Sequence, residues 1–264
     1  PVNGWLISGM MTPGLRSSCS YPAYIKTRHL RGYKLDVVGQ DSHIDSRINS
    51  HELKLDVGRV YRVAKTVIHN RWTFLRKMMT LYPTDFTFAV FTASDRLQHV
   101  AWHRKDLLID FWRDLDSIVG EIYAFAMECG YSHFIIVSDH GFCDIDSSEA
   151  QPHLRRCGKP GINHYGVHRL EGTYVATGDG IVANQRLDGI SILDIAPTIL
   201  NLYELPIPSD MDGHLITPLF QDAREEHRVP TQETQQDDYG SDEQYSPEDA
   251  SEVESRLRGL GYIE

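Results

Sequence analysis

Six residues of metal-ligating type stand beside short apolar runs in this sequence: Asp95, His99, Asp139, His140, His164 and His168. Asp95 and His99 follow the run Phe86-Thr-Phe-Ala-Val-Phe-Thr92 and are four positions apart. If a helical turn begins directly after that run, both side chains point the same way. Asp139 and His140 follow Phe134-Ile-Ile-Val137. As sequence neighbours they cannot share one strand face, so both reach one ion only where the strand breaks into a turn. Gly141 is read as supplying that freedom. The segment His164-Tyr-Gly-Val-His168 precedes a third run, Gly172-Thr-Tyr-Val-Ala-Thr177. Two Asp with two or three His offer carboxylate oxygen and imidazole nitrogen, a donor set suited to zinc, manganese or iron. Taken singly, each has a plainer role. An Asp after a strand usually caps a helix, and a lone His is usually a hydrogen-bonded core or surface residue. Their shared place at strand ends is the argument for chemistry, because open α/β sheets bind ligands beyond the carboxyl ends of their strands. Asp41, His43, His51, His69 and His103 read as chance neighbours among 13 histidines.

The elements that must position these residues show in the hydrophobic pattern. Val60, Ala64, Val67, Phe74, Met78 and Leu81 fall near a 3.6-residue spacing and predict an amphipathic helix over 57–81. Tyr82-Pro83 ends it, since proline disfavours a helical residue before it. Leu108, Phe111, Leu115, Ile118, Ile122 and Phe125 predict a second helix over 104–129, with Cys129-Gly130 at its end. A further helix is expected from Ile192 to Tyr203, with Pro197 early in it. The three apolar runs read as buried strands. Continuous apolar strands separated by long helices predict an α/β layered domain with a mostly parallel sheet covered on both faces. Residues 1–50 read as loops and short elements.

Composition sets further bounds. The chain has 264 residues, 26 Lys+Arg and 37 Asp+Glu, for a net charge of −11. From Gln221 to Glu264 there are 13 acidic and 4 basic residues, a net of −9, which leaves −2 for residues 1–220. A nearly neutral body with an acidic tail lacks the basic face of a nucleic-acid binder. No uncharged apolar run approaches the roughly 20 residues of a membrane helix. Cys19, Cys129, Cys143 and Cys157 form no CxxC pair, so reduced thiols in a cytoplasmic protein are expected. The domain reading is a catalytic body over 1–220, an acidic disordered linker over 221–251, and a short helix or tail over 252–264. The chain opens on Pro1 with its first Met at Met10, so an N-terminal part of the natural protein is expected upstream.

The sequence resembles the type I phosphodiesterase/nucleotide pyrophosphatase group of the alkaline phosphatase superfamily. The stretches that carry the resemblance are Asp95-Arg-Leu-Gln-His99, Ser138-Asp-His-Gly141 and His168-Arg-Leu-Glu-Gly-Thr-Tyr-Val-Ala-Thr-Gly178. Asp194-Ile-Ala-Pro-Thr-Ile-Leu-Asn-Leu202, Met211-Asp-Gly-His214 and Leu260-Gly-Tyr262 follow in the same order, and Asn3-Gly4 through Ser8-Gly-Met-Met-Thr-Pro13 is similar to an interior segment of such proteins.

The resemblance implies an alkaline-phosphatase-like three-layer α/β/α sandwich, incomplete at its N-terminus. It implies a hydrolase of phosphoric esters with two divalent metal ions, zinc first and manganese second. Asp95, His99 and His168 match the ligands of one metal, and Asp139 and His140 match two ligands of the other. His168 is favoured over His164 because the family's histidine directly precedes the strand entry. Asp194 to Leu202 is implied to be a packing helix. The family's Thr or Ser nucleophile and its remaining Asp ligand lie upstream of this chain, so no catalytic residue is assigned, Thr12 is set aside, and the fragment alone is expected to be inactive. The substrate is expected to be a small-molecule or nucleotide phosphoester. Alternatives are a sulfatase or phosphoglycerate mutase of the same superfamily, or a non-catalytic metal-binding remnant.

Overall fold

The computed structural model describes residues 3–9, 12, 19–37, 57–149, 166–231, 247, 250, 251, 253 and 254. In chain order its elements are β1 (Leu6–Ile7), β2 (Ser20–Tyr21), α1 (Tyr24–His29), α2 (Val57–Leu81), α3 (Ala93–Ala101) and α4 (Lys105–Glu128). Then come β3 (His133–Val137), β4 (Gly141–Asp144), β5 (Gly166–Arg169) and β6 (Tyr174–Gly178). A 3-10 turn (Ile192–Asp194) runs into α5 (Ile195–Leu202), followed by β7 (Ile207–Pro208), a second 3-10 turn (Thr217–Leu219) and β8 (Arg228–Val229). Two compact units result. Among the described residues, the first takes those up to Tyr131, His140–Glu171 and 247 onward, and the second takes Ser132–Asp139 and 172–231.

The first unit is built on three helices. Helix α2 has the bounds its periodicity predicts, and α4 begins and ends one residue inside them. Val60, Ala64, Val67, Ile68, Leu75 and Met79 of α2 pack with Ala93, Leu97 and Ala101 of α3 and with Leu108, Phe111, Leu115 and Ile118 of α4. Each such large side chain contributes about 1.5–3 kcal/mol on burial. Helix α2 also has a second buried face. Phe74 and Met78 turn away from that cluster to pack with Cys19, Ile25, Leu30, Tyr33 and Leu35. Leu81, expected in the core, is half-exposed at the helix end. Helix α4 closes at Gly130, whose φ of +88° takes the left-handed conformation that commonly follows a helix.

Two strand expectations need correction. Residues 86–92 form no strand. Phe86, Phe88 and Val90 are 51%, 67% and 52% exposed, and no described strand pairs with them. The sheet is not a mostly parallel one among the described residues. Strands β3 and β6 pair antiparallel (Ile135 opposite Ala176), as do β4 and β5 (Phe142 opposite His168) and β1 and β2. The parallel pair is β7 with β8, two residues long. The physical reason is common to both. An apolar run reports that a segment prefers an extended, buried setting, but pairing partner and direction are set by distant chain.

In the second unit, Ile181, Leu215, Ile216, Leu219 and Phe220 form a core, with Tyr174 and Ala176 of β6 and Ile195 and Leu202 of α5 against it. A capping box opens the 3-10 turn that runs into α5. The Ser191 hydroxyl accepts from the Leu193 N–H at 3.3 Å, and the Asp194 carboxylate accepts from the Ser191 N–H at 2.9 Å. The other Asp194 oxygen accepts from the His214 N–H at 2.8 Å. These bonds give Asp194 a structural role. Residues 221–231, expected to begin a disordered linker, are instead built into this unit. Arg228 of β8 donates to the carbonyl oxygens of Met211 and Gly213. Residues 232–246 lie outside the described residues. Near the C-terminus residues 247, 250, 251, 253 and 254 are helical, with Val253 buried, and the remainder of the expected terminal helix lies outside the described residues.

Candidate metal centre

Helix α3 places the first two candidate residues. It begins at Ala93, directly after the apolar run, so Asp95 in its first turn and His99 in its last share one face. Leu97, between them, points the other way and is fully buried in the helical core. Strand β5 supplies His168 and packs on α3 through Gly166. A Cβ on Gly166 would stand 2.7 Å from the carbonyl oxygen of Gln98 and 3.1 Å from Trp102 Cβ. That near-contact sets the distance between strand and helix.

Three side chains converge as a result. His168 Nε2 lies 3.0 Å from Asp95 Oδ1 and 2.9 Å from His99 Nε2. His99 Nε2 lies 3.5 Å from the same carboxylate oxygen. Ligands held about 2 Å from one ion at tetrahedral angles stand about 3.3 Å from each other, close to these three separations. His99 and His168 are buried, and the Asp95 side chain is 15% exposed. His99 Nδ1–H donates to the carbonyl of Gly166 at 3.0 Å. That leaves Nε2 as the ring nitrogen facing Asp95 and His168 and the atom available to a metal ion.

His140 joins the cluster. Its Nε2 is 3.6 Å from Asp95 Oδ1. Its ring stacks on that of His168 with centroids 3.6 Å apart, and its Nδ1–H donates to the Gly141 carbonyl at 3.2 Å. The reading of Gly141 as a turn residue is corrected. It opens β4 without a positive φ, and its role is close approach: a Cβ there would stand 2.3 Å from the carbonyl oxygen of Glu171. Asp139 is exposed and belongs to the second unit, two residues beyond β3, whereas the other four stand in the first. His164 lies outside the described residues. Of the residues set aside, Thr12 is buried, and His69 pairs with Asp114 across the exposed faces of α2 and α4 at 3.0 Å.

Electrostatics follows from this packing. Burial alone would raise the Asp95 pKa, but hydrogen bonds from His168 and His99 and the charges of His99 and Arg96 outweigh it, holding the carboxyl well below its usual range. His168 is pushed down, first by burial and then by the charges of His99 and His140, against the opposing pull of Asp95. The centre is therefore an ionised carboxylate beside an imidazole that resists protonation. Both are the forms that coordinate a cation.

Sequence reasoning missed three contributors. Phe142 of β4 meets the rings of His99 and His168 edge-on at 5.0 Å each. Arg96 pairs with Asp95 and with the buried Asp36. Gly166, inside the segment from His164 to His168, brings β5 against α3. The available signals were slight: an Asp in the apolar setting Leu35-Asp-Val-Val38, and a Gly two residues before the ligand-type histidine.

Residues 6–189, more than half of the chain, match the family described as type I phosphodiesterase / nucleotide pyrophosphatase. Among curated proteins the chain is similar to the 2,3-bisphosphoglycerate-independent phosphoglycerate mutase of Acinetobacter baylyi, 30% identical over 106 residues. The aligned stretch is 39% of this chain and 18% of that mutase, so the chain spans a small part of that relative's length. No solved structure matches the chain.

Proposed function

Because this chain belongs to the type I phosphodiesterase/nucleotide pyrophosphatase family, we propose that it serves a metal-dependent hydrolase of phosphoric esters. The observation that carries the reading is the convergence of Asp95, His99 and His168, whose ligand atoms lie within 4.8 Å of one another. In this reading they hold one divalent cation, zinc first and manganese second. By the family resemblance, Asp139 and His140 are the candidate ligands of a second. A bound cation supplies a Lewis acid that neutralises charge developing on a phosphoryl oxygen. The protein's own part is positional. Asp95 brings negative charge to a nearly closed site. The Gly166 carbonyl fixes the tautomer of His99, and Phe142 confines the rings of His99 and His168. No helix among the described residues is long and apolar enough to cross a membrane, and a small phosphoester, nucleotide or other, is the proposed substrate.

The mutase likeness favours a second reading, phosphoryl transfer between hydroxyls in place of hydrolysis. One set of measurements separates the two. Zinc or manganese is titrated calorimetrically into this chain, which alone is expected to turn over negligibly, and turnover of the whole protein is followed with a chromogenic phosphodiester, a phosphomonoester and an aryl sulfate. Metal binding together with phosphodiester hydrolysis supports the first reading. Isomerisation of a phosphoglycerate without net hydrolysis supports the second. Sulfate release as the fastest reaction, or no metal binding, overturns both.

A further inference from the structure

Arg96 is almost completely buried yet carries a full charge, and its partners explain where that charge acts. Its side chain is 2% exposed and that of Asp36 is 5% exposed. Both Nε–H and Nη2–H of Arg96 donate to Asp36 Oδ2 at 3.1 Å. Its Nη1–H donates to Asp95 Oδ2. Asp36 is itself held, since its Oδ1 accepts from the Val37 N–H at 2.7 Å and from the Thr92 hydroxyl at 3.0 Å. The two oxygens of Asp95 are thus divided. Oδ2 is engaged by Arg96, and Oδ1 is the atom that faces His99, His140 and His168.

We propose that Asp36 and Arg96 form a clamp that makes Asp95 a one-oxygen ligand and so selects transition ions over calcium. The inference rests on the metal reading of Asp95, His99 and His168. The planar guanidinium is suited to the task, because its fork fixes two carboxylates at set angles where an ammonium would fix neither. A carboxylate tied back by one oxygen cannot swing to chelate. That favours ions content with four ligands, such as zinc and cobalt. Calcium, which takes 6–8 oxygens and often bidentate carboxylates, is disfavoured. Arg96 and Asp36 are positioning residues, since they act through Asp95.

The test uses cobalt and calcium as probes, read by calorimetry and by the visible spectrum of bound cobalt, with thermal unfolding of each variant alongside. The wild type should bind cobalt with the intense absorption of a four-coordinate ion and bind calcium far more weakly. Arg96→Lys keeps the charge but cannot bridge both carboxylates. It should lose cobalt affinity tenfold or more, weaken the absorption as the coordination number rises, and narrow the preference over calcium. Removing a partner of a buried pair can unfold a protein, so Thr92→Val provides a milder arm. It deletes one hydrogen bond to Asp36 and should shift cobalt affinity in the same direction by a fewfold. A folded Arg96→Lys or Thr92→Val protein with wild-type cobalt affinity, spectrum and selectivity overturns the clamp while leaving the metal reading intact. A wild type that binds no cobalt overturns both.

Discussion

The carbonyl oxygen of Gly166 lies 3.0 Å from Nδ1 of His99, so one hydrogen bond joins strand β5 to helix α3 at the point where their side chains meet. The bond requires the backbone approach that only a residue without Cβ allows at this position. Gly166→Ala should push β5 off α3 and separate His168 from Asp95 and His99. We expect a loss of about 1–3 kcal/mol from the forced shift and a zinc affinity lowered tenfold or more. Gly120→Ala is the matched control. Gly120 sits within α4 with nothing within 4 Å of a built Cβ, so alanine there should stabilise by about 0.5–1 kcal/mol and leave zinc binding unchanged. Denaturant midpoints and calorimetry on both variants decide it, and equal zinc affinities would remove Gly166 from the account.

Phe111 tests whether stability and the metal centre separate. It is fully buried among the residues of α2, α3 and α4. Phe111→Ala should cost about 3–5 kcal/mol, read as a lower urea midpoint at unchanged slope. Zinc affinity, measured where the variant remains folded, should stay within twofold of wild type. A larger change would mean that the helical core sets the position of α3 more finely than its own contacts imply.

Acid should weaken the metal-free protein in two separate windows. His168 has a folded pKa below that of a free histidine, near 6.5. As pH falls through about 6.5, the unfolded chain therefore takes up a proton that the folded chain refuses, and stability drops. Asp95 acts in the same direction at lower pH. Its depressed pKa contributes stability that is complete above the unfolded value, about 3.9, and is lost as pH falls through the folded one. Urea midpoints in chelator from pH 8 to 2 should show both declines. His168→Gln should flatten the upper one and keep the lower. An upper decline equally steep in the variant would assign it to another histidine.

Much of this arrangement is legible in the sequence, and the reason differs by element. Helices α2 and α4 are local objects, each with apolar residues at helical spacing and a Pro or Gly at its end, so their bounds follow from short-range rules. Asp95 and His99 are legible for the same reason, as one helical turn carries both. The segment from Phe86 to Thr92 looks like a strand by composition, but strand formation needs a partner, and composition does not name one. Arg96 and Asp36 were invisible because their link spans 60 positions and neither motif marks the other. Gly141 reads in the sequence as a turn residue, whereas the fold uses it for close approach. Its neighbour across the backbone, Glu171, is 30 residues away, and only the fold brings that carbonyl within 2.3 Å of a Cβ.

The histidines offer the last discrimination. His99 and His168 each bring a ring nitrogen to the same carboxylate oxygen, at 3.5 and 3.0 Å, whereas His140 reaches it at 3.6 Å while stacked on His168. His99→Ala removes a donor that the Gly166 carbonyl has already oriented, so the tighter zinc site should disappear from a calorimetric titration. His168→Ala should do the same. His140→Ala leaves all three of the closest donors in place and should weaken the tighter site only modestly, while abolishing any second, weaker binding event assigned to Asp139 and His140. His69→Ala removes an exposed imidazole whose partner is Asp114 on α4, and His164→Ala a residue that the family resemblance leaves without a ligand role. Both should titrate like wild type. A tight site that survives His168→Ala but is lost in His164→Ala would mean that the wrong histidine of the segment from His164 to His168 has been taken as the ligand.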